Sequence, residues 1–173
     1  PTIATYAKEG EVSIRISAKA KNENEAQQMI DPVVQEIKSR LQPYLYSENN
    51  EELVEVVAKK LLEKNITISL AESCTGGLIA SALTSVPGIS KCFDRAMVTY
   101  SNISKVEQLG INPSTLEKFG AVSEETAKEM VIGLKQKSKS DLCLAITGIA
   151  GPDGGSPEKP VGLVYISLLY QDH

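Results

Sequence analysis

The segment Ala71-Glu72-Ser73-Cys74-Thr75-Gly76-Gly77 brings a carboxylate, a hydroxyl and a thiol next to a pair of glycines. It lies between a β-branched run and an apolar run, which predicts a strand, a tight turn and a helix in succession. Backbone N–H groups at the start of such a helix stabilise an anion or a developing oxyanion, so Ser73 is a candidate nucleophile for acyl transfer. The alternative is that Ser73 or Thr75 only caps the helix.

The choice of a general base is limited by the histidine content. His173 is the only histidine and the last residue, which argues against a Ser-His-Asp or Cys-His mechanism within this chain. The base must then be a lysine, a tyrosine or a carboxylate. Cys74 is the rival nucleophile, because a thiol at a helix N-terminus has a lowered pKa. Since no histidine is available to pair with it, Ser73 is preferred.

A second reactive segment runs over residues 98–105, Val-Thr-Tyr-Ser-Asn-Ile-Ser-Lys. Tyr100 ends a predicted strand, and Ser101 or Asn102 is expected to cap a short helix. Lys105 lies one helical turn beyond Ser101, so both side chains are able to face the same edge. A partly desolvated lysine acts as a base, and a neighbouring tyrosine relays a proton. The alternative is an exposed lysine on a surface helix.

The third segment is the glycine-rich loop, residues 148–162, which stands between two predicted strands. Open α/β sheets bind ligands at this position, directly after a buried strand. The loop amides suit a phosphate group, while Asp153 or Lys159 would contact ribose or phosphate. A flexible loop without a ligand is the alternative, although its prolines stiffen it.

The rest of the chain supplies elements that would position these segments. Alternation over Glu11–Ala18 predicts a half-buried strand, and a helical period over Asn24–Leu41 predicts a helix with Asn24 as its N-cap. Strands and helices alternate from residue 50 onward, which predicts a layered α/β fold. Helices are predicted at 51–64, 78–83, 101–109 and 123–137, and a further short helix is predicted to begin at residue 112. Strands are predicted at 66–71, 93–100, 141–147 and 163–169.

Composition excludes several classes of protein. The net charge of −4 gives no support to non-specific nucleic-acid binding, and no apolar run is long enough to cross a bilayer. No signal peptide is recognised, and the odd count of three cysteines, without a CxxC pair, favours a reduced cytoplasmic protein without structural zinc. Neither a metal nor another cofactor is expected. A first residue other than Met indicates a piece of a longer chain.

Taken together, the three segments AESCTGG, VTYSN with its following lysine, and TGIAGPDGGSPEKPVG resemble the C-terminal domain of the CinA (competence/damage-inducible protein) family. The resemblance covers about Glu51–Leu169. It implies hydrolysis of the carboxamide of nicotinamide mononucleotide to nicotinic acid mononucleotide and ammonia, in pyridine nucleotide recycling. By the family motif, Ser73 would be the nucleophile, Lys105 its base and Tyr100 a proton relay. The residues expected to bind the substrate are Glu72, Cys74, Thr75, Gly76, Gly77, Asn102, Gly148, Gly151, Asp153, Gly154, Gly155 and Lys159.

The N-terminal part, residues 1–46, is similar to the KH-type module of long CinA proteins, and residues 47–173 would form the deamidase domain. The GxxG clamp of nucleic-acid-binding KH domains is missing at Lys19-Ala20-Lys21-Asn22, so a small α+β spacer is expected rather than an RNA or DNA reader. The resemblance also implies a preceding molybdopterin-binding-like domain and, after His173, a further strand and helix. It leaves a homodimer open. The rival function is a non-catalytic nucleotide-binding or interaction domain in competence or DNA damage.

Overall fold

The computed structural model describes residues 1–8 and 10–171, which divide into two compact units. The first unit is Pro1–Val56, and the second begins at Val57. The division falls inside a helix, whereas the sequence predicts a boundary after residue 46. Across the described residues, no helix is long and apolar enough to cross a membrane.

The first unit consists of a β-hairpin and one long helix. Strand β1 (Thr2–Lys8) pairs antiparallel with β2 (Glu11–Ser17), and helix α1 (Glu23–Leu41) follows. No element is predicted from the sequence for β1, because most of its residues are exposed and its polar and apolar residues do not separate cleanly onto two faces. Helix α1 has no buried residue, although its apolar positions follow a helical period.

The cap of α1 differs from the predicted one. Asn22, rather than Asn24, precedes the helix in an extended conformation, and its side chain accepts a hydrogen bond from the N–H of Glu25 at 2.9 Å. Glu25 also reaches back to the N–H of Lys21 at 3.3 Å. The prediction of Asn24 was wrong because two asparagines stand close together and only the local dihedral angles decide which one caps.

From helix α2 onward the chain forms a layered α/β structure, as the alternation of elements predicts. Its sheet has the strand order β4-β3-β5-β6, in which β3 runs parallel to β4 and β5, and β6 runs antiparallel to β5. A single turn of 3-10 helix, Ile89–Lys91, precedes β4. The elements are α2 (Leu53–Lys64), β3 (Ile68–Glu72), α3 (Leu78–Thr84), β4 (Phe93–Val98), α4 (Asn102–Leu109), α5 (Pro113–Phe119), α6 (Glu124–Ser138), β5 (Leu142–Gly148) and β6 (Val164–Tyr170).

The core lies between helix α6 and one face of the sheet. Met130 and Leu134 of α6 pack against Ala71 of β3 and against Cys143 and Ala145 of β5, and all five side chains are buried. The small residues on the strands allow the helix to approach the sheet closely. The central strand β3 is buried along its whole length, as expected for a parallel strand covered on both faces.

The neighbouring parallel strands β3 and β4 place their carboxyl ends side by side. Glu72 is paired with Val98 at the last position of the β3–β4 ladder, so Ser73 and Thr99 follow on adjacent strands. The N–H of Thr99 donates to the carbonyl of Glu72 at 2.8 Å, which fixes the segment after β4 against the end of β3. The segments after β3 and β4 therefore meet at one edge of the sheet.

Candidate active site

Ser73 is the first residue after β3 and begins a tight turn, the Ser73 turn, over residues 73–77. Its N–H donates to the carbonyl of Ile146 on β5 at 3.0 Å, and its own carbonyl accepts from the N–H of Gly76 at 3.1 Å. Gly76 and Gly77 both have positive φ, at 60° and 103°, which residues with a side chain rarely adopt. The turn is thus held at both ends, and Ser73 keeps 6% of its surface exposed.

Glu72 caps helix α3 from inside the sheet. Its carboxylate is fully buried and accepts hydrogen bonds from the N–H groups of Gly77 at 3.0 Å, Ile79 at 3.2 Å and Ala80 at 2.8 Å. Neither Ser73 nor Thr75 caps this helix, because Gly77 occupies the cap position without a side-chain bond. The start of α3, expected from the sequence to be open to an anion, is therefore occupied by an anion of the protein itself.

Cys74 lies within the turn with its sulfur partly buried. Burial raises the pKa of the Cys74 thiol, while the N–H groups of Cys74 and Thr75 and the charge of Lys105 act in the opposite direction. A thiol with a raised pKa carries less thiolate at neutral pH than an ordinary one, so the turn does not activate Cys74. The N–H groups of Cys74 and Thr75 donate to no backbone carbonyl among the described residues.

Lys105 reaches Ser73 from the first turn of helix α4. Its Nζ lies 2.9 Å from Ser73 Oγ, 2.8 Å from the carbonyl oxygen of Thr99 and 3.2 Å from that of Tyr100. Only 1% of the lysine is exposed, so the alternative of an exposed surface lysine is wrong. Ser101 caps α4 by accepting from the N–H of Ser104, and this cap fixes the turn that carries the lysine.

Lys105 Nζ faces as many oxygen atoms as an ammonium group has N–H donors. As an ammonium it donates to all three. With one proton removed, its two remaining N–H groups serve the carbonyls of Thr99 and Tyr100, and its lone pair faces the hydroxyl of Ser73. Burial lowers the pKa of the Lys105 ammonium, and the nearby Cys74 raises it. No carboxylate forms a salt bridge with this lysine among residues 1–8 and 10–171. The geometry suits a base that takes the proton of Ser73.

Tyr100 contributes its backbone rather than its side chain to this arrangement. Its carbonyl accepts from Lys105 Nζ, whereas the side chain is 70% exposed. In the described part of the chain, the phenol hydroxyl forms no hydrogen bond, so no contact supports the relay expected from the family motif. The neighbouring Asn102 is also exposed, at the first position of helix α4.

The glycine-rich loop begins against the Ser73 turn. A side-chain carbon built on Gly148 would lie 3.1 Å from Cys74 Sγ and 2.8 Å from the carbonyl oxygen of Leu163, so only glycine fits. Asp153, Gly154 and Gly155 are exposed further along the loop. The loop therefore starts against Cys74 in the Ser73 turn, and its middle residues are exposed to solvent.

Lys159, expected to contact the substrate, is instead engaged with the protein. Its Nζ donates to the carbonyl oxygens of Phe119 and Val122, each at 2.7 Å. Phe119 ends α5 and Val122 lies in the connection between α5 and α6, so the lysine ties the far end of the glycine-rich loop to this region. Two of the three N–H groups of the ammonium are engaged in this way.

Two residues of the site have roles that the sequence did not reveal. Thr99, assigned no role from the sequence, is fully buried and gives its carbonyl to Lys105. Glu72 was expected at the substrate, yet its carboxylate serves helix α3. The signal for a capping role was present, because an acidic side chain directly before a turn and a helix often accepts from the first N–H groups of that helix. No cluster of three or more metal-binding side chains occurs in the described residues.

Comparison with known proteins identifies two consecutive family matches. The model of the CinA C-terminal domain matches residues 50–173, and the model of the damage-inducible protein CinA KH domain matches residues 1–47. A CinA-like protein of Kosmotoga olearia is 54% identical over 168 residues, which are 97% of this chain and 41% of that protein. The chain thus spans about two fifths of the length of the curated relatives it matches.

Solved structures show the same fold. The competence/damage inducible protein CihA of Agrobacterium tumefaciens has a TM-score of 0.68 at 45% identity, covering 74% of this chain and 78% of that one. A competence-damaged protein (CinA) superfamily member of Escherichia coli has a TM-score of 0.69 at 30% identity, covering 79% of this chain and 80% of that one. Both TM-scores are well within the range of proteins that share an architecture.

Proposed function

Because the chain belongs to the CinA family, we propose that its C-terminal part, from about residue 47, is an amide hydrolase that deamidates nicotinamide mononucleotide. The observation that carries this proposal is the 2.9 Å contact between Ser73 Oγ and Lys105 Nζ in a buried site. A serine hydroxyl facing a neutral amine is a nucleophile already next to its base. The family resemblance supplies the substrate, and the pair supplies the chemistry.

The first step is attack on the carboxamide. Neutral Lys105 takes the proton of Ser73 while Oγ forms a bond to the amide carbon, and the carbonyl oxygen becomes an oxyanion. The N–H groups of Cys74 and Thr75 are the donors best placed to stabilise it, because those at the start of α3 are already bonded to Glu72. Glu72 thereby directs the oxyanion toward the turn rather than toward the helix.

The second step releases ammonia. The Lys105 ammonium returns its proton to the amide nitrogen, the C–N bond breaks, and an ester remains on Ser73. Lys105 is then neutral again and takes a proton from a water molecule, which attacks the ester. The C–Oγ bond breaks, the lysine reprotonates Ser73, and the carboxylic acid gives its proton to ammonia, so the products are the pyridine carboxylate and ammonium. The cycle consumes one water and leaves the enzyme unchanged.

The rim of the site offers groups for the rest of a mononucleotide. The exposed ring of Tyr100 is available to stack on the pyridine ring. The N–H groups of Gly154 and Gly155 make no hydrogen bond among the described residues, and they suit phosphate oxygens. Asp153 is able to accept from ribose hydroxyls. We assign no substrate contact to Glu72, whose carboxylate is buried.

The direct test is ammonia release from nicotinamide mononucleotide by the purified protein, with the nucleotide product identified by mass. Turnover of the mononucleotide is expected, and weaker turnover of the riboside, which has the same amide without the phosphate. Equal turnover of both compounds would show that the phosphate group does not contribute to substrate recognition. Binding of the mononucleotide without ammonia release would instead support the rival, a non-catalytic nucleotide-binding domain.

A further inference from the structure

Two buried hydroxyls have no hydrogen-bond partner among the described residues, and both belong to the segments that form the site. They are Thr75 Oγ1, in the Ser73 turn, and Thr99 Oγ1, directly after β4. Thr99 is fully buried. An unpaired buried hydroxyl is unfavourable, and a functional role is one of the explanations for such a group in a native structure.

Buried threonines elsewhere in the second unit do have partners. Thr126 Oγ1 lies 2.8 Å from the carbonyl oxygen of Gly120, and Thr147 Oγ1 lies 2.7 Å from that of Ala121. Both residues are as fully buried as Thr99. The fold therefore satisfies threonine hydroxyls when they serve structure, and the exception at Thr99 is local to the site.

The backbone of Thr99 is fixed at both of its polar groups. The N–H donates to the carbonyl of Glu72 and the carbonyl accepts from Lys105 Nζ, both at 2.8 Å. Covalent geometry keeps Oγ1 within about 4.5 Å of the carbonyl oxygen of the same residue. The unpaired hydroxyl therefore belongs to the same residue whose carbonyl Lys105 contacts.

We propose that Thr99 is a positioning residue whose hydroxyl accepts a hydrogen bond from Lys105 only after the lysine has taken the proton of Ser73. Before that step, Lys105 has two N–H groups, which the carbonyls of Thr99 and Tyr100 accept. The transferred proton creates a third N–H, and Thr99 Oγ1 holds it until it passes to the leaving nitrogen. An interaction made only in the reacting state lowers the barrier without strengthening substrate binding. This inference rests on the Ser73–Lys105 chemistry proposed above.

The test compares Thr99→Val with Thr99→Ser. Valine has nearly the shape of threonine without its hydroxyl, whereas serine keeps the hydroxyl. The readouts are Tm and the rate at which a fluorophosphonate labels Ser73, a reaction that forms the Oγ–P bond, expels fluoride and needs no natural substrate. Because the lost hydrogen bond is to a charged group, Thr99→Val is expected to slow labelling about 10- to 100-fold. Its Tm should be unchanged or higher, and Thr99→Ser should label within about threefold of the wild-type rate.

Thr126→Val is the matched control, since it removes a hydroxyl that has a structural partner. It is expected to lower Tm by about 2–4 °C and to leave labelling unchanged. A lower Tm in Thr99→Val, or labelling at the wild-type rate, would overturn the inference, as would a wild-type protein whose Ser73 is not labelled. If Ser73 is labelled but no ammonia is released from nicotinamide mononucleotide, the proposed substrate fails while the role of Thr99 is still decided by the labelling rates.

Discussion

Lys105 and Lys159 lie in two regions of the second unit, and their side chains have different surroundings. Each Nζ lies at hydrogen-bond distance from two backbone carbonyls, those of Thr99 and Tyr100 for Lys105 and those of Phe119 and Val122 for Lys159. Lys105 is almost completely buried and has a serine hydroxyl as its third neighbour, whereas Lys159 is half-buried and has no such neighbour. Two carbonyls hold each lysine in place, but only Lys105, the proposed base, is also buried beside a serine hydroxyl.

Ser73→Ala should have the largest effect on activity. It removes the nucleophile, and kcat for ammonia release is expected to fall by about 10⁴-fold or more, because the remaining groups cannot form the ester. Steady-state kinetics with nicotinamide mononucleotide measures this change, and circular dichroism checks the fold. Cys74→Ala is the control in the same turn, and it should retain far more activity. The reverse order of the two variants would identify Cys74 as the nucleophile.

Lys105→Met should come next, with a loss in kcat of about 10³-fold, which is typical of a missing general base. Lys105→Arg sharpens the result, because arginine keeps the positive charge but does not release its proton near neutral pH. Both variants are therefore expected to be inactive to a similar degree. Substantial activity in Lys105→Arg would show that the charge, rather than the proton transfer, matters.

The pH dependence of kcat/KM follows from the burial of Lys105. Burial lowers the pKa of Lys105 below its ordinary value of 10.5, and only the neutral form accepts the proton of Ser73. Activity should therefore rise with pH, with the midpoint of the rise below pH 10.5, and reach a plateau at higher pH. The profile of the free enzyme, measured as kcat/KM over the stable pH range, checks this sign. A rate that falls as this group loses its proton would mean that the ammonium is the active form.

Lys159→Met should have a smaller and different effect. It removes the hydrogen bonds to Phe119 and Val122, so the glycine-rich loop is held less firmly and the substrate must order it on binding. KM is expected to rise about 3- to 10-fold while kcat changes less than threefold, and limited proteolysis within the loop should become faster. A loss in kcat as large as that of Lys105→Met would contradict the proposal that Lys159 holds the loop and takes no part in the chemical step.

Tyr100→Phe should have the smallest effect, within about threefold in kcat, because the backbone carbonyl that contacts Lys105 is retained. The exposed phenol has no hydrogen-bond partner among the described residues, so its removal costs the resting site nothing. A proton relay through the phenol would instead predict a loss of about 100-fold or more.

The sequence was sufficient to predict which segments meet at the site. The sequence located β3, from its β-branched residues, and β4 to within two residues at each end. Segments that follow adjacent parallel strands lie at one edge of a sheet. The choice between a nucleophile and a cap at Ser73, however, depended on the family resemblance. Spacing alone also left open whether Lys105 was buried, because the face that a short helix buries depends on its packing.

What the sequence could not supply were contacts that depend on side-chain direction. Glu72 turns its carboxylate toward helix α3, and Lys159 turns its ammonium toward the α5–α6 connection, although either group could equally have faced a ligand. Strand β1 was missed because exposed residues on both faces leave little periodicity to detect. In each case the tertiary environment decides between conformations that are locally equivalent.

Hydroxylamine competition tests the central claim, that the amide is hydrolysed through an ester on Ser73, most directly. Hydroxylamine intercepts an acyl ester and yields the hydroxamate of the mononucleotide, with Ser73 released. Wild-type protein is expected to form this hydroxamate together with ammonia, and Ser73→Ala is expected to form neither. Ammonia release by the wild-type protein without hydroxamate at any hydroxylamine concentration would contradict it, since water would then attack the amide directly.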